Sequence, residues 1–202
     1  MMPYLYPDAK HERKHGPCGY TDYTQYKPWL RDEFSFRCVY CLHRERWSHS
    51  GDAVFSTDHF VAQSVDTTLQ TEYDNLVYAC SRCNSYKQAN NVLDPCSVAF
   101  AKVIRINYDG SIDGLTSEAK QHIMILGLDD PKLVEFRGRL IRTIQALTQS
   151  SESNLVNSWL AYPDDLPRLP QFRPPGGNQR PGGLSTCTYE LRKNRMLADV
   201  YL

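Results

Sequence analysis

The chain has 202 residues, of which 41% are hydrophobic and 23% are charged, as is usual for one globular domain or a small core with appended segments. The formal net charge is zero, so the total charge does not by itself indicate a nucleic-acid partner. No apolar run approaches the roughly 18 residues of a membrane span, and the polar N-terminus has no apolar signal region, so we expect neither a membrane protein nor an exported one.

The N-terminal segment is polar and precedes the first predicted helix. Residues 1–27 are rich in tyrosine, proline and glycine, and they include a short charged cluster at 10–15. Such a segment is typical of a solvated arm, and the alternative is a basic arm that contacts phosphates. Pro28 suits the first turn of a helix that would run through Trp29 and Leu30 to Phe34.

The stretch from Cys38 to residue 88 predicts two strands and a helix. Cys38 and Cys41 should enclose a tight knuckle. Residues 54–60 are β-branched and aromatic and predict a strand, whereas residues 61–73 show no period and predict a loop. A second apolar segment at 75–80 predicts another strand, and a short helix should follow at 81–88.

The residues after this stretch predict a mostly helical extension. Asp94 and Pro95 favour a short helix over 95–102. A turn at 108–110 should join two strands into a hairpin over 103–115. Two helices should follow, one capped by Thr116 and ended by Gly127, and one from Pro131 to Leu147 with apolar residues at helical spacing.

The C-terminal part changes in composition. Residues 163–183 are rich in proline and glycine and predict an extended linker or arm. Residues 189–202 could form a short helix with its apolar residues inward. We therefore divide the chain into an N-terminal arm (1–27), a core (28–94), a mostly helical extension (95–162), and a Pro/Gly-rich basic arm with a short C-terminal helix (163–202).

Charge is distributed unevenly along the chain. From Arg168 to Arg195 there are six basic residues and one acidic residue, whereas from Asp109 to Glu135 there are six acidic residues and two lysines. Steering of a partner depends on such local fields. The C-terminal arm is therefore a candidate for contacting the DNA backbone or a partner protein.

The seven cysteines include two CxxC pairs and three single residues. An odd count and paired CxxC spacing favour a reducing compartment and metal binding over disulfides, so we expect an intracellular, cytoplasmic protein. The two pairs can supply four thiolates to a tetrahedral Zn²⁺, which would fill its coordination and make the site structural. Redox chemistry is the alternative. The ligands would be Cys38, Cys41, Cys80 and Cys83.

Between and after the two CxxC pairs, the chain resembles the HNH endonuclease family. The resemblance rests on the CxxC knuckles, an Asp-His pair at the end of the first predicted strand, an asparagine in the second, and an asparagine directly after the last knuckle cysteine. It covers about fifty of the 202 residues. The residues that match are Asp58, His59, Asn75 and Asn84, with Lys87 three residues further on.

The resemblance implies a fold, an activity and a set of roles. The fold would be a ββα-metal core within an α+β protein, and the activity would be hydrolysis of phosphodiester bonds in DNA with one divalent metal. His59 would be the general base, Asp58 and Asn84 would bind the metal, and Asn75 would hold the loop and His59 in place. Carboxylate and amide oxygens suit Mg²⁺ or Mn²⁺.

Basic residues near this motif are candidates for contacts with the nucleic-acid backbone. They are Arg44, Arg46, Arg82 and Lys87. The helices behind the core resemble extensions seen in some bacterial defence nucleases, so an anti-phage effector is the expected setting. The alternatives are a zinc-stabilised DNA-binding module without cleavage, and a subunit that docks onto a larger partner such as an ATPase through residues 163–202.

Overall fold

The computed structural model describes residues 1–150 and 152–201. It contains six α-helices and four short strands within the described residues. In chain order they are α1 Lys27–Glu33, β1 Phe55–His59, β2 Leu76–Cys80, α2 Ser81–Lys87, β3 Ile104–Ile106, β4 Ile112–Gly114, α3 Ser117–Ile125, α4 Pro131–Gln149, α5 Ser153–Leu160 and α6 Thr188–Lys193.

The centre of the fold is the hairpin of β1 and β2 with α2 directly behind it. The strands pair antiparallel, with Phe55 opposite Cys80 and His59 opposite Leu76. Every residue of β2 is buried, as expected for a strand covered on both faces. Both strands and the helix lie where the sequence predicts them, and the expected α+β class with a ββα core is confirmed.

Helix α1 covers one side of this hairpin and leads into the first CxxC pair. Pro28 lies in its first turn, as predicted. The helix ends where Ser35 and Phe36 adopt the left-handed conformation, with φ of 53° and 55°. Non-glycine residues enter this region at a cost of about 1–2 kcal/mol each. The Phe36 side chain is fully buried, and its burial stabilises this sharp turn into the knuckle.

The extension after α2 packs through two hairpin strands and three helices. The side chain of Thr116 accepts a hydrogen bond from the Ala119 amide and begins α3. Gly127 has a φ of 55° just beyond the helix end, as predicted. Helix α4 places its apolar stripe in the core, with Leu140, Ile141 and Ile144 buried.

The predicted helix over 95–102 is wrong. Asp94 begins only a single turn, in which the amides of Ser97 and Val98 donate to its carbonyl, and a 3₁₀ segment, Phe100–Lys102, follows. The backbone at this position bonds to the N-terminal segment instead, since the carbonyl of Pro95 accepts a hydrogen bond from the amide of His11. A cap without a longer apolar period is not enough to continue a helix.

The N-terminal segment is not a solvated arm. Tyr4 and Tyr6 are buried in the core, and His15 is fully buried. His15 pairs with Asp32 at 2.8 Å, and His11 pairs with Glu33 at 2.8 Å. The two carboxylates of α1 therefore hold the charged cluster against the protein, which leaves little of it free to contact phosphates.

The C-terminal segment is extended, as predicted, but it is packed. Leu169 and Cys187 are fully buried, and Pro17 forms an isolated antiparallel bridge with Asn178. Arg180 makes two hydrogen bonds to the carboxylate of Asp74, at 3.0 and 2.8 Å. Buried residues from all parts of the described chain belong to one hydrophobic core.

The last predicted helix is shorter than expected. Helix α6 ends at Lys193, and Met196, expected to point inward, is 72% exposed. Leu202, the last residue of that prediction, lies outside the described residues. No helix in the described ranges combines the length and apolar character that a membrane crossing requires.

Candidate metal centre and active site

Four thiols meet where the loop after α1 approaches the junction of β2 and α2. All four are buried, and their Sγ atoms lie within 4.8 Å of one another: Cys38, Cys41, Cys80 and Cys83. The Sγ atoms of Cys41 and Cys80 are 3.7 Å apart. A tetrahedron with zinc–sulfur bonds of about 2.3 Å has an edge of roughly 3.8 Å. The predicted quartet is therefore assembled, and its spacing is compatible with a structural zinc.

The backbone of the first knuckle fixes two of these thiols. Leu42 adopts a φ of 61°, and its amide donates to the carbonyl of Cys38 at 3.0 Å. The amide of Val39 donates to the carbonyl of Tyr78 on β2 at 3.0 Å. The knuckle is thus tied to the same strand that carries Cys80.

The surroundings of Cys38 and Cys80 shift the pKa values of these two thiols in opposite directions. Burial raises the pKa of the Cys38 thiol. Hydrogen bonds from the three other thiols, Cys38 first, lower the pKa of Cys80. The cluster therefore favours a thiolate at Cys80 over one at Cys38, and zinc binding requires its cysteine ligands as thiolates.

Three predicted site residues line one open cleft near the end of β1. Asp58 and His59 end β1, and Asn84 lies in the middle of α2. Together with Tyr23 and Gln63, among others, they line a cavity of about 430 Å³. The fold thus brings the carboxylate, imidazole and amide to one surface.

His59 is held in one orientation by its surroundings. Its Nε2 lies 2.9 Å from the carbonyl oxygen of Gln70, which can only accept, so Nε2 carries the proton. The ring of Tyr23 stands edge-on at a centroid distance of 4.5 Å. The side-chain nitrogen of Gln63 lies 3.1 Å from Nε2 and 3.4 Å from Nδ1. Because the Gln70 carbonyl takes the Nε2 proton, Nδ1 is the nitrogen left to accept one.

Asn75 fastens the loop that follows His59. Its Oδ1 accepts from the amide of Val61 at 2.8 Å, and its Nδ2 donates to the carbonyls of Val61 and Leu69. The amide of Phe60 donates to the carbonyl of Asn75 at 2.8 Å. These contacts hold the end of β1 against the start of β2, which is a positioning role for Asn75.

Asp58 is buried and is contacted on both carboxylate oxygens. The hydroxyl of Tyr40 donates to Oδ2 at 2.8 Å, and the Lys87 ammonium lies 3.4 Å from Oδ1. Burial raises the pKa of the Asp58 carboxyl, and the nearby Lys87 charge opposes that shift. The carboxylate still lines the cleft.

Asn84 presents an amide beside this carboxylate. Its Nδ2 donates to the hydroxyl of Ser56 at 3.0 Å, which assigns the amide orientation. Within the described residues its Oδ1 accepts no hydrogen bond and remains available to the cleft. A carboxylate and a free amide oxygen fit a hard divalent cation that keeps several waters.

Two of the predicted backbone contacts are wrong because the side chains are buried. Arg44 is fully buried, donates to the carbonyl of Tyr201 at 2.7 Å, and lies over the Tyr201 ring. Lys87 is also fully buried and donates to the carbonyl of His59 at 2.6 Å. Neither group can reach a phosphate in this fold. The sequence suggests that these two charged side chains are exposed. Because both are buried, they instead donate hydrogen bonds to backbone carbonyls of the protein.

The other two side chains predicted to contact the nucleic-acid backbone form bonds within the protein. Arg82 donates to the carbonyls of Leu126 and Gly127 at 3.0 and 2.8 Å. Arg46 donates to the carbonyl of Tyr162 and pairs with Asp164. Both tie the core to later parts of the chain, and a phosphate would have to compete with these bonds.

Sequence reasoning missed four residues around the site. Tyr40 lies inside the first CxxC pair, which indicates its proximity to the metal centre but not its bond to Asp58. Gln63 lies four residues after His59, in a stretch without a pattern. Ser56 precedes Asp58 by two residues and therefore shares its face of β1. Tyr23 comes from the N-terminal segment and gives no sequence signal.

The comparisons with known proteins locate the same stretch. No curated protein and no solved structure matches the chain. Residues 38–90 match the family model described as HNH endonuclease. This range begins at the first cysteine of the metal centre, ends just beyond α2, and contains Asp58, His59 and Asn84 of the cleft as well as Asn75. Residues 38–90 of this chain are therefore similar to an HNH endonuclease domain.

Proposed function

We propose that the protein is a metal-dependent endonuclease that hydrolyses phosphodiester bonds of DNA in the cleft of Asp58, His59 and Asn84. The observation that carries the proposal is the convergence of these three side chains on one cavity within the matched domain. The preference for DNA over RNA comes from the family resemblance.

His59 is the general base in this proposal. Its Nε2–H is committed to the carbonyl of Gln70, so Nδ1 can take a proton from a water molecule. A neutral imidazole can act as a general base towards water. Asn75 and Tyr23 hold the ring and its loop, which keeps the accepting nitrogen in place.

Asp58 and Asn84 hold the divalent cation in this proposal. Bound there, Mg²⁺ or Mn²⁺ would offset negative charge on the scissile phosphate and the leaving oxygen. Of the two ligands, Asp58 supplies the negative charge. The Ser56 hydroxyl accepts from Nδ2 of Asn84, which leaves the Asn84 Oδ1 directed towards the cleft. We expect products with 5′-phosphate and 3′-hydroxyl ends.

The decisive experiment compares nicking of supercoiled plasmid by the wild type and by His59→Ala under identical metal. The substitution removes the base and neither metal ligand, so cutting should fall by roughly two to four orders of magnitude, the usual contribution of a positioned acid–base group. DNA binding should persist. His49→Ala is the matched control, because His49 is exposed and lies outside the cleft.

Equal cutting by the wild type and His59→Ala would refute this role and the proposed mechanism. DNA binding by the wild type with no cutting under Mg²⁺ or Mn²⁺ would favour a zinc-stabilised binding module. RNA and linear duplex in the same assay define the substrate class. Asp58→Ala and Asn84→Ala should regain part of their activity at high metal concentration, whereas Asn75→Ala should not.

A biological setting extends the proposal. We place the protein as the nuclease effector of a bacterial anti-phage system, on the strength of the helical extension behind the HNH domain. A partner such as an ATPase would meet the exposed basic side chains of the C-terminal segment, which include Arg168, Arg173 and Arg195. Phage plating on cells with the wild type and with His59→Ala tests the setting. Equal plating efficiency would refute it.

A further inference from the structure

We infer that Tyr40 is a positioning residue for the metal-binding carboxylate, so that the zinc knuckle sets the affinity of the cleft for its divalent cation. The inference rests on the proposed function, because it assigns Asp58 to that cation. It names a connection between two metal sites that lie towards opposite ends of the β1–β2 hairpin, one at Cys80 and one at Asp58.

The connection is a single side chain. Tyr40 lies between Cys38 and Cys41, and it is fully buried. Its hydroxyl donates to Oδ2 of Asp58 at 2.8 Å, and both groups are inaccessible to solvent apart from the edge of Asp58 at the cleft. Water is therefore not a ready substitute for this donor.

The position of Tyr40 is itself fixed by the knuckle. Its carbonyl accepts from the hydroxyl of Tyr6 at 2.6 Å. The amide before it, on Val39, donates to β2. With a cysteine of the quartet on either side, the Tyr40 backbone follows the knuckle, and its hydroxyl is placed by the same loop that places two thiols.

The bond matters because a carboxylate rotates easily. The terminal torsion of aspartate is broad and roughly two-fold, so the side chain alone does not fix the plane of its oxygens. Here Tyr40, in the knuckle, donates to Oδ2, and Lys87, on α2, donates to Oδ1. Two donors define that plane and leave the remaining lone pairs for the cleft. Partners that orient metal ligands in this way typically change metal affinity by 10–100-fold when removed.

Tyr40→Phe tests the inference, because it keeps the ring and removes only the hydroxyl. Tyr78→Phe is the matched control. Tyr78 is also fully buried, and its hydroxyl donates to a carboxylate oxygen of Glu45 at 2.7 Å, away from the cleft. Both variants lose one buried phenol–carboxylate bond. Titration with Mn²⁺, followed by electron paramagnetic resonance of the free ion, measures binding to the zinc-loaded protein without DNA.

The expected result is a dissociation constant for Mn²⁺ at least about tenfold higher in Tyr40→Phe than in the wild type. Zinc content should stay at the wild-type value, and Tyr78→Phe should bind Mn²⁺ as the wild type does. The Mn²⁺ concentration for half-maximal cutting should rise in parallel, with the rate at saturating metal largely retained. Unchanged Mn²⁺ binding in Tyr40→Phe, or an equal change in Tyr78→Phe, overturns the inference.

A second measurement decides the case if Tyr40→Phe does not retain zinc. Wild-type protein carrying Co²⁺ at the cysteine quartet has a visible spectrum that reports the geometry of the knuckle. Saturable addition of Mg²⁺ should shift that spectrum in the wild type and not in Asp58→Asn, and no shift in the wild type overturns the inference. If the wild-type protein neither binds Mn²⁺ nor cuts DNA, the proposed function is refuted. This outcome distinguishes failure of the proposed function from failure of the inference about Tyr40.

Discussion

Replacing Glu33 by glutamine should destabilise the fold by about 3 kcal/mol at neutral pH. The Glu33 side chain is fully buried at the end of α1. Its Oε1 accepts from His11 Nε2 and the Lys14 amide, both at 2.8 Å. Its Oε2 accepts from the His15 amide at 3.0 Å and the Tyr73 hydroxyl at 3.1 Å. Glutamine keeps one acceptor oxygen and turns an NH₂ group towards two donors.

The pKa of Glu33 gives the magnitude and its pH dependence. Burial by itself would raise this pKa, but the hydrogen bonds from His11 and Lys14 outweigh it and lower the pKa from 4.5 to about 2. At about 1.4 kcal/mol per pH unit, this shift corresponds to about 3 kcal/mol. Because the folded-state pKa is depressed, the stabilisation is fully present above about pH 4.5 and is lost as the pH falls towards 2.

Urea unfolding of the wild type and Glu33→Gln at a series of pH values measures this effect. The difference in the free energy of unfolding should be about 3 kcal/mol at pH 7 and should shrink to about 1 kcal/mol at pH 3. Zinc release in acid affects both chains, so it cancels to first order in the difference. Glu12→Gln, an exposed position in the same segment, should change little. A difference below 1 kcal/mol at pH 7, or one that does not shrink in acid, refutes the reasoning.

Three further predictions concern other parts of the molecule. Cys41→Ser should lose zinc and unfold the core, since metal binding supplies folding energy there; elemental analysis and circular dichroism check this, and a folded, zinc-free variant contradicts it. Removal of residues 163–202 should lower the thermal midpoint, because it uncovers core residues that the segment covers; an unchanged midpoint would show the packing to be dispensable. Arg44→Met should cost about 2 kcal/mol or more in urea unfolding through its lost bonds to carbonyls, while DNA affinity stays at the wild-type value. A loss of DNA affinity in the folded Arg44→Met variant would restore Arg44 as a nucleic-acid contact.

Local patterns in the sequence predict the centre of the fold well. The apolar runs that form β1 and β2, the helix after Cys80, and the caps at Thr116 and Gly127 all depend on residues close together in the chain. The cysteine quartet is also predictable, because thiol spacing and metal geometry constrain each other. The family motif adds the three cleft residues, which strand order alone would not select.

The wrong expectations about exposure share one physical cause. Arg44, Lys87 and His15 are charged or polar residues that the sequence suggests are exposed, and each is buried because a partner far away in the chain satisfies it. The carbonyl of Tyr201 takes up Arg44, and Asp32 takes up His15. The proline- and glycine-rich composition of residues 163–183 correctly predicts an extended conformation. It does not predict the long-range contacts that pack this segment against the core.

The bridge between Pro17 and Asn178 has a consequence for the order in which the chain folds. The bonded residues Gly16 and Asn178 are 162 positions apart, so closing this contact from the unfolded chain spans a loop about tenfold longer than that of the β1–β2 hairpin. Loop-closure entropy makes it roughly 2 kcal/mol more costly, so we expect the hairpin to form first. In a growing chain, Asn178 emerges on the order of ten seconds after α2. Until then the N-terminal segment lacks its partner, and α1 lacks the cover that Phe172 gives to Trp29. We therefore expect chaperones and proteases to meet a growing chain in which the β1–β2 hairpin can form while that side of α1 is still uncovered.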